Sequence, residues 1–464
     1  MNPLLVLDVV GLTPRLLAHM PHLRALGERG FQAPLETVLP AVTCTVQSTL
    51  LTGGTPAAHG VVANGWYFRD LGEVMLWRQH NRLVEGEKVW QAARRTRPDY
   101  TVANVCWWYA MGADVDWTVT PRPVYHADGR KEPDCYTYPP SLHDELTDRL
   151  GDFPLFRFWG PTADITSSRW IVDAARHLLR TRRPDLSLVY LPHLDYDLQR
   201  YGPHGREAVR AARALDRVLA PLLHDARRAG VTTVALSEYG ITEVSRPVHI
   251  NRALRRAGLL DVYTQAGMEY LDPWTSRAFA VADHQIAHVY VADPADVPAV
   301  QRVLESLPGV GAVLDEAGRK ERGLDHPRSG ELVALADRDA WFTYYYWLED
   351  DRAPDFARLV DIHRKPGYDP AELLFDHTDR RVRLRAATAL VRKRLGMRYL
   401  MNVVSLDSGR VRGSHGLLPA HPDEGPVLLC DDPAAARPRY TATEVKALLL
   451  RLAGLPRDDA APST

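Results

Sequence analysis

Residues 186–240, LSLVYLPHLDYDLQRYGPHGREAVRAARALDRVLAPLLHDARRAGVTTVALSEYG, contain the pattern that decides the fold. Short apolar runs at 186–194 and 231–240 are typical of buried strands. Between them, residues 205–230 carry apolar side chains at helical spacing and end on a glycine, which is favoured after the last turn of a helix. Because a strand, a helix and a second strand in this order pair their strands in parallel, the stretch predicts a parallel sheet covered by helices.

The same alternation of apolar runs and helical segments extends over the first half of the chain, and its change after about residue 245 predicts a second unit. Apolar runs at 4–10 and 100–108 indicate further strands, so we predict an α/β fold of three α/β/α layers with a mostly parallel central sheet. Beyond about residue 245 the pattern changes, and residues 283–315 have the order strand, helix, strand of a smaller unit. We therefore predict a core at 1–245 and 405–455, an inserted α+β cap at 246–404, and a disordered tail at 456–464.

The composition excludes several classes of protein. The 464 residues are 45% hydrophobic with a formal net charge of -1, which argues against a nucleic-acid polymer as partner. The 4 cysteines lack the paired spacing of a thiolate zinc site. The first residues show no secretory signal, and no apolar run approaches the roughly 20 residues of a membrane-spanning helix. We expect a cytoplasmic protein without a membrane span.

Polar side chains lie where the predicted strands end. Asp8, Asp195 and Glu238 each stand at or just after the end of an apolar run, and Thr43 follows another one. In parallel α/β sheets, ligands bind beyond the carboxyl ends of the strands. These side chains therefore predict a functional site at one edge of the sheet.

Six motifs at these positions point to one family. Asp8 is followed by TCTVQSTLLTG at 43–53, HGVVAN at 59–64, LDYDLQRYGP at 194–203, SEYG at 237–240 and GSHG at 413–416. Their order and spacing resemble the alkaline phosphatase superfamily, in particular its nucleotide pyrophosphatase/phosphodiesterase branch. The resemblance covers roughly residues 1–420, and six ordered motifs are far more specific than any single one.

The resemblance implies an enzyme and its working parts. Thr43 would be the nucleophile of a phosphodiesterase or nucleotide pyrophosphatase that forms a covalent phospho-enzyme intermediate on a small nucleotide-like or other phosphodiester substrate. Asn64 and the Thr43 backbone N–H would bind the non-bridging phosphate oxygens. Two divalent metal ions, zinc by resemblance, would be held by two sets of residues: site one, Asp8, Thr43, Glu238 and Tyr239; and site two, Asp195, Gln199 and His415.

The chemistry is consistent with these residue types. A threonine hydroxyl is a poor nucleophile near neutral pH, and a divalent cation lowers its pKa enough for attack on phosphorus. Two cations roughly 4 Å apart stabilise both the attacking and the leaving oxygen of an in-line displacement. Carboxylates from different strands must then converge on one edge of the sheet.

The chain departs from the family pattern at two ligand positions. Glu238 and Tyr239 stand where the family has Asp-His, and Gln199 stands where it has histidine. Oxygen ligands thus replace two of three imidazoles, so manganese or iron becomes plausible beside zinc. If the segment around 195 is extended, Asp197 shares a face with Asp195 and could replace Gln199 as ligand.

Other histidines remain alternatives. His249 follows the Glu238 motif closely and could line the pocket. His284 and His288 have the i, i+4 spacing of metal ligands, but residues 279–291 have the pattern of a strand, where that spacing gives only a shared face. We keep His284 as a possible pocket residue or alternative ligand.

Two other functions remain open at this stage. The missing imidazoles favour a degenerate protein that binds a phosphorylated ligand or a metal without turnover. A phosphomonoesterase or phosphonate hydrolase on the same scaffold is the other alternative. Cys44 stands beside Thr43 where phosphomonoesterases tend to have an arginine, and without that cation a dianionic phosphate loses one partner. The sequence therefore favours phosphodiesters.

Overall fold

The computed structural model describes residues 3–127, 131–376, 378, 382–395, 397 and 400–456. Strands of these residues are β1 Leu4–Val9, β2 Phe31–Glu36, β3 Gly65–Phe68, β4 Glu73–Leu76, β5 Val102–Val105, β6 Trp117–Pro121, β7 Val124–Tyr125, β8 Lys131–Glu132, β9 Cys135–Tyr138, β10 Leu186–Leu191, β11 Thr232–Leu236, β12 Thr242–Glu243, β13 Arg246–Val248, β14 Val262–Gln265, β15 Met268–Leu271, β16 Ala278–Asp283, β17 Ile286–Val291, β18 Val310–Leu314, β19 Leu332–Ala336, β20 Ala340–Phe342, β21 Gly413–Ser414, β22 Val427–Cys430 and β23 Tyr440–Thr441.

The α-helices are α1 Pro14–Leu17, α2 Pro21–Arg29, α3 Thr43–Thr52, α4 Pro56–His59, α5 Val89–Thr96, α6 Ser141–Leu150, α7 Leu155–Phe158, α8 Ile165–Thr181, α9 His193–Tyr201, α10 Arg206–Arg228, α11 Ile250–Arg256, α12 Val297–Glu305, α13 Glu316–Glu321, α14 Val382–Arg394 and α15 Val445–Leu452. The segment after β10 is the helix α9, although the sequence left an extended conformation open there.

A nine-stranded sheet forms the centre of the molecule, in the order β23-β2-β22-β11-β1-β10-β5-β6-β9. Strands β11, β1, β10, β5 and β6 are parallel, whereas β22 and β9 run antiparallel to their neighbours. The predicted α/β fold with a mostly parallel central sheet is confirmed. Parallel neighbours bring the carboxyl ends of β1, β10 and β11 to one edge.

Helices cover both faces of this sheet. Leu5 and Leu7 of β1 pack in one apolar cluster with the buried stripe of α10, to which Leu215 and Leu219 belong. Val6 faces the other side and packs with residues of α3, α5 and α15. Alternating side chains of a strand point to opposite faces, so a strand that is buried throughout needs a layer on each side. The two clusters are the two sides of the three-layer core.

A four-stranded sheet, ordered β16-β17-β19-β18, lies in the segment predicted as a cap. Its antiparallel strands β16 and β17 form a hairpin, because the chain turns at His284, which has a left-handed φ of 61°. The interpretation of 279–291 as one continuous strand was therefore wrong. Apolar side chains run almost continuously through both strands, and the two-residue turn His284–Gln285 contains no glycine or proline as a signal.

Three further expectations concern boundaries and location. The division into a core and a cap at 246–404 stays a prediction, and so does the cytoplasmic location. The predicted disordered tail at 456–464 lies outside the described residues except for Pro456. Over the described ranges, the structure has no helix of the length and apolar character that crossing a membrane requires.

Candidate active site

Two acidic side chains meet at the ends of neighbouring central strands. Asp8 pairs in register with Leu236 of β11, and Glu238 follows two residues later. Both carboxyl groups are fully buried. Burial raises the pKa of Asp8 to about 7, and burial together with the neighbouring Asp8 raises the pKa of Glu238 well above its ordinary value. Two acids this close resist simultaneous ionisation unless a cation lies between them.

Thr43 is the first residue of α3 and lies beside this acidic pair. Its Oγ1 is 2.9 Å from the phenolic oxygen of Tyr239. Val42 is the N-cap residue of this helix, and no side chain forms a capping hydrogen bond there. The first N–H groups of a helix and its dipole favour an anion at this end. The threonine hydroxyl therefore lies where a phosphate group would be stabilised.

A second cluster lies in α9 and the GSHG loop. The Gln199 amide donates a hydrogen bond of 2.7 Å to Asp195 Oδ2, and His415 Nε2 lies 4.0 Å from Asp195 Oδ1. His415 Nδ1 donates to the Ala41 carbonyl at 2.8 Å. Since a carbonyl only accepts, the proton is on Nδ1, and Nε2 faces Asp195 with a free lone pair. Burial lowers the pKa of His415 to about 3, so the ring stays neutral and suited to metal binding.

The buried carboxylates of the two clusters fit divalent cations. Asp8 Oδ1, Asp195 Oδ1 and both carboxyl oxygens of Glu238 are buried without a hydrogen-bond partner. In the part of the chain that the structure describes, none of these three acids pairs with a lysine or arginine. An isolated buried carboxylate is costly, and bound cations remove that cost. The donors are mostly oxygen with one imidazole nitrogen.

Asn64 lies next to Thr43 and is held on three sides. Its Oδ1 accepts the backbone N–H of Cys44 at 2.9 Å. Its own N–H and its Nδ2 donate to the two carboxyl oxygens of Asp283, at 2.8 and 3.1 Å. Asp283 is fully buried, and burial raises its pKa to about 7. The amide orientation is fixed, because the Cys44 N–H can only donate and a carboxylate can only accept.

Most of the sequence matches one family of known proteins. Residues 4–369 match the pattern of the type I phosphodiesterase/nucleotide pyrophosphatase family. The chain belongs to this family. A search of curated individual proteins found no match. The expected phosphoric ester hydrolase is thereby confirmed at the level of the family, whose members depend on divalent metal ions.

Solved structures of two kinds resemble the fold. Phosphonoacetate hydrolase from Sinorhizobium meliloti 1021, in complex with phosphonoformate, is 16% identical with a TM-score of 0.60, over 97% of this chain and 96% of the other. Murine ectonucleotide pyrophosphatase/phosphodiesterase 5, in an inactive form in complex with AMP, is 16% identical with a TM-score of 0.59, over 100% and 97%. The human form of the latter protein is 15% identical with a TM-score of 0.59, over 100% and 97%. At these identities the likeness shows the fold.

Within this family member, a row of four rings joins Tyr239 and His415 to two residues of the segment predicted as a cap, His284 and Tyr368. Tyr239 lies on His415 with ring centroids 3.6 Å apart, and His284 lies 3.6 Å from His415. Tyr368 then stacks on His284 at 3.8 Å and donates to Gln199 Oε1 at 3.1 Å. The structure thus brings His284 to the predicted site, although sequence spacing suggested only a strand face.

The other alternative ligands lie apart from the two clusters. Asp197 is on the helix α9, where a separation of two residues points side chains to different faces, and it pairs with Arg200 at 3.1 Å. His249 Nδ1 lies 2.7 Å from Thr343 Oγ1. His288 Nε2 lies 3.0 Å from the Val62 carbonyl oxygen. Among the described residues, no contact joins these three side chains to the proposed ligands.

The sequence analysis did not single out three residues of the site. Gln47, one turn along α3 from Thr43, donates to Asp8 Oδ2 at 2.9 Å and accepts the Trp108 N–H at 2.8 Å. Asp283 and Tyr368 lie in the segment predicted as a cap, Asp283 at the end of β16. For Gln47 a signal existed, because an i, i+4 neighbour of a nucleophile at the start of a helix shares its face. Asp283 and Tyr368 have no such signal, because only tertiary packing brings them near the proposed site.

Proposed function

We propose that this family member hydrolyses phosphodiesters by means of Thr43 as a covalent nucleophile. The observation that carries the proposal is the group of three buried acids with unpaired oxygens beside a threonine at a helix start. Thr43 Oγ1 gives up its proton and forms a bond to phosphorus as the bond to the leaving-group oxygen breaks, and the leaving oxygen takes up a proton. Water then attacks the same phosphorus, the bond between phosphorus and Oγ1 breaks, and a proton from the water restores the threonine hydroxyl. Asn64 Nδ2 retains a second hydrogen that can bind a phosphate oxygen.

Two divalent cations complete the proposed site. Asp8, Thr43, Glu238 and Tyr239 would hold one ion in site one, and Asp195, Gln199 and His415 would hold the other in site two. The bound ions would lower the pKa of the threonine hydroxyl and stabilise the charge that develops on phosphorus. The donor set fits zinc, and its excess of oxygen also fits manganese or iron.

Phosphodiesters are the proposed substrate class. Cys44 is fully buried, and its backbone N–H is already bonded to Asn64. In the described part of the protein, no lysine or arginine forms an ion pair with the proposed ligands. A phosphomonoester carries one more charge than a diester and needs such a cation. The AMP seen with the murine relative supports a nucleotide-like group as one candidate.

A direct test compares Thr43→Ala with a matched control. Metal-loaded wild type is assayed on bis-p-nitrophenyl phosphate with zinc, manganese and iron. We expect Thr43→Ala to lose at least about 1000-fold in kcat, because the nucleophile supplies most of the covalent route. Thr52→Ala, at the other end of α3, should stay within about twofold, since its hydroxyl bonds to the Ser48 carbonyl and the Gly54 N–H. Full activity of Thr43→Ala would exclude this nucleophile.

A further inference from the structure

The tip of the β16–β17 hairpin is fixed against the core next to the proposed site. The Gln285 N–H donates to the carbonyl of His415 in the GSHG loop at 2.9 Å. Within the predicted cap, the Phe342 N–H of β20 donates to the His284 carbonyl at 2.8 Å and supports the same turn. Gly416 makes this approach possible, because a Cβ there would lie 3.2 Å from Gln285 N and its φ is +119°. The hairpin therefore lies in a defined position relative to Thr43 and Asn64.

Asp283, the last residue of β16, faces Asn64 from this position. Its two carboxyl oxygens accept the main-chain N–H and the side-chain Nδ2 of the same asparagine. A carboxylate that accepts two N–H groups of one residue fixes the side-chain rotamer of that residue. The Cys44 N–H fixes the opposite end of the amide. Asn64 thus has one free N–H, whose direction is set by a carboxylate 219 positions away in sequence.

We infer that Asp283 is a positioning residue that aims the Asn64 amide at the phosphate group. The inference rests on the proposed function, in which Asn64 binds a non-bridging oxygen. Hydrogen-bond donors stabilise developing charge only when they are held in place before the reaction. The inserted region then contributes to phosphate binding through this carboxylate, which acts through Asn64 and does not touch the substrate.

The experiment is a double-mutant cycle with a matched control. Asp283→Ala and Asn64→Ala are made alone and together in the metal-loaded protein. Asn251→Ala is the control, because Asn251 also makes two hydrogen bonds to β16, with the N–H and the carbonyl of Ala280, at 2.7 and 2.8 Å. Asn251 has no part in the proposed site. Inhibition by inorganic vanadate, a mimic of the pentacoordinate phosphorus, is measured for each variant.

We expect Asp283→Ala to lower kcat by about 10- to 100-fold and to weaken vanadate inhibition similarly, with a smaller change in KM. In the Asn64→Ala background, the same substitution should change kcat less than about twofold, because the amide that it positions is gone. Asp283→Asn keeps one acceptor oxygen and should recover part of the loss. Asn251→Ala should lower thermal stability while kcat stays within about twofold.

Three results would overturn the inference. If Thr43-dependent turnover is present but Asp283→Ala behaves like Asn251→Ala, only the inference fails. The inference alone also fails if Asp283→Ala lowers kcat as much in the Asn64→Ala background as it does in the wild type. If the wild type neither hydrolyses diesters with any metal nor binds vanadate, the proposed function fails and the inference with it. Should Asp283→Ala not fold, the more conservative Asp283→Asn decides by the same comparison.

Discussion

The two proposed metal sites differ in how many of their ligand oxygens already accept hydrogen bonds from the protein. In site one, Asp8 keeps one oxygen unpaired and Glu238 keeps both. In site two, Asp195 resembles Asp8, because one carboxyl oxygen accepts a glutamine amide and the other is unpaired. The His415 ring is fixed by the Ala41 carbonyl. The difference lies in Glu238, which has no counterpart in site two, so site one depends more strongly on a cation for its charge balance.

The largest expected effect comes from removing charge in site one. Glu238→Gln should lower kcat by about 1000-fold, because a neutral amide holds a cation far less well than a carboxylate. In the metal-free protein the same change should raise the free energy of unfolding by about 1 kcal/mol, since burial raises the pKa of Glu238 and the neutral amide removes the cost of protonating this acid on folding. Activity assays and chemical denaturation measure both effects.

The matched change in site two sharpens the contrast. Gln199→Leu leaves Asp195 Oδ2 without its donor, so the metal-free protein should become less stable, by about 1–2 kcal/mol. Chemical denaturation of the two variants side by side measures the difference. If both substitutions changed the free energy of unfolding of the metal-free protein in the same direction, the proposed difference between the two sites would be contradicted.

The second effect is the pH dependence of the metal-free protein. Burial raises the pKa of Asp8 and of Asp195 from 3.8 to about 7. Between those values the folded state holds protons that the unfolded state has released, so the free energy of unfolding falls as pH rises from about 4 to about 7. A rise of the pKa from 3.8 to about 7 corresponds to about 4 kcal/mol, so we expect a loss of up to about 4 kcal/mol for each of the two groups across this range by urea denaturation.

Asp8→Asn provides the control for this titration. It removes one of the two groups, so the slope should become shallower. Saturating metal should abolish the loss, because bound cations favour the ionised carboxylates at neutral pH. Stability that rises between pH 4 and 7 in metal-free protein would show that these acids are ionised when buried.

The smallest expected effect concerns the choice of metal. With oxygen donors at Tyr239 and Gln199, manganese or iron should support activity at least as well as zinc after reconstitution. The double substitution Tyr239→His, Gln199→His should shift the preference towards zinc by about tenfold. Reconstitution of metal-stripped protein with each ion measures the shift. Wild type that is fully active with zinc and inactive with the other ions would contradict the argument from oxygen ligands.

Much of the site could be predicted because it follows the ends of strands. Asp8 and Glu238 come together since β1 and β11 are parallel neighbours. The strand pattern indicated a parallel sheet with these acids at its carboxyl edge, although it did not give the order of the strands. Asp195 was expected after β10 and lies in the first turn of α9. The helical conformation of that segment was not predicted, because an apolar run that continues to residue 194 hides the start of a helix.

The sequence by itself determined the three-layer fold, the family and the meeting of carboxylates at one sheet edge. These features follow from hydrophobic periodicity and short motifs, which can be recognised in short stretches of the chain. Only the tertiary structure decided that Asp283 holds Asn64 and that His284 stacks on His415. Those pairs join the β16–β17 hairpin to segments that lie far from it in sequence. Such contacts depend on how two packed units fit together, and no local pattern of side chains encodes that fit.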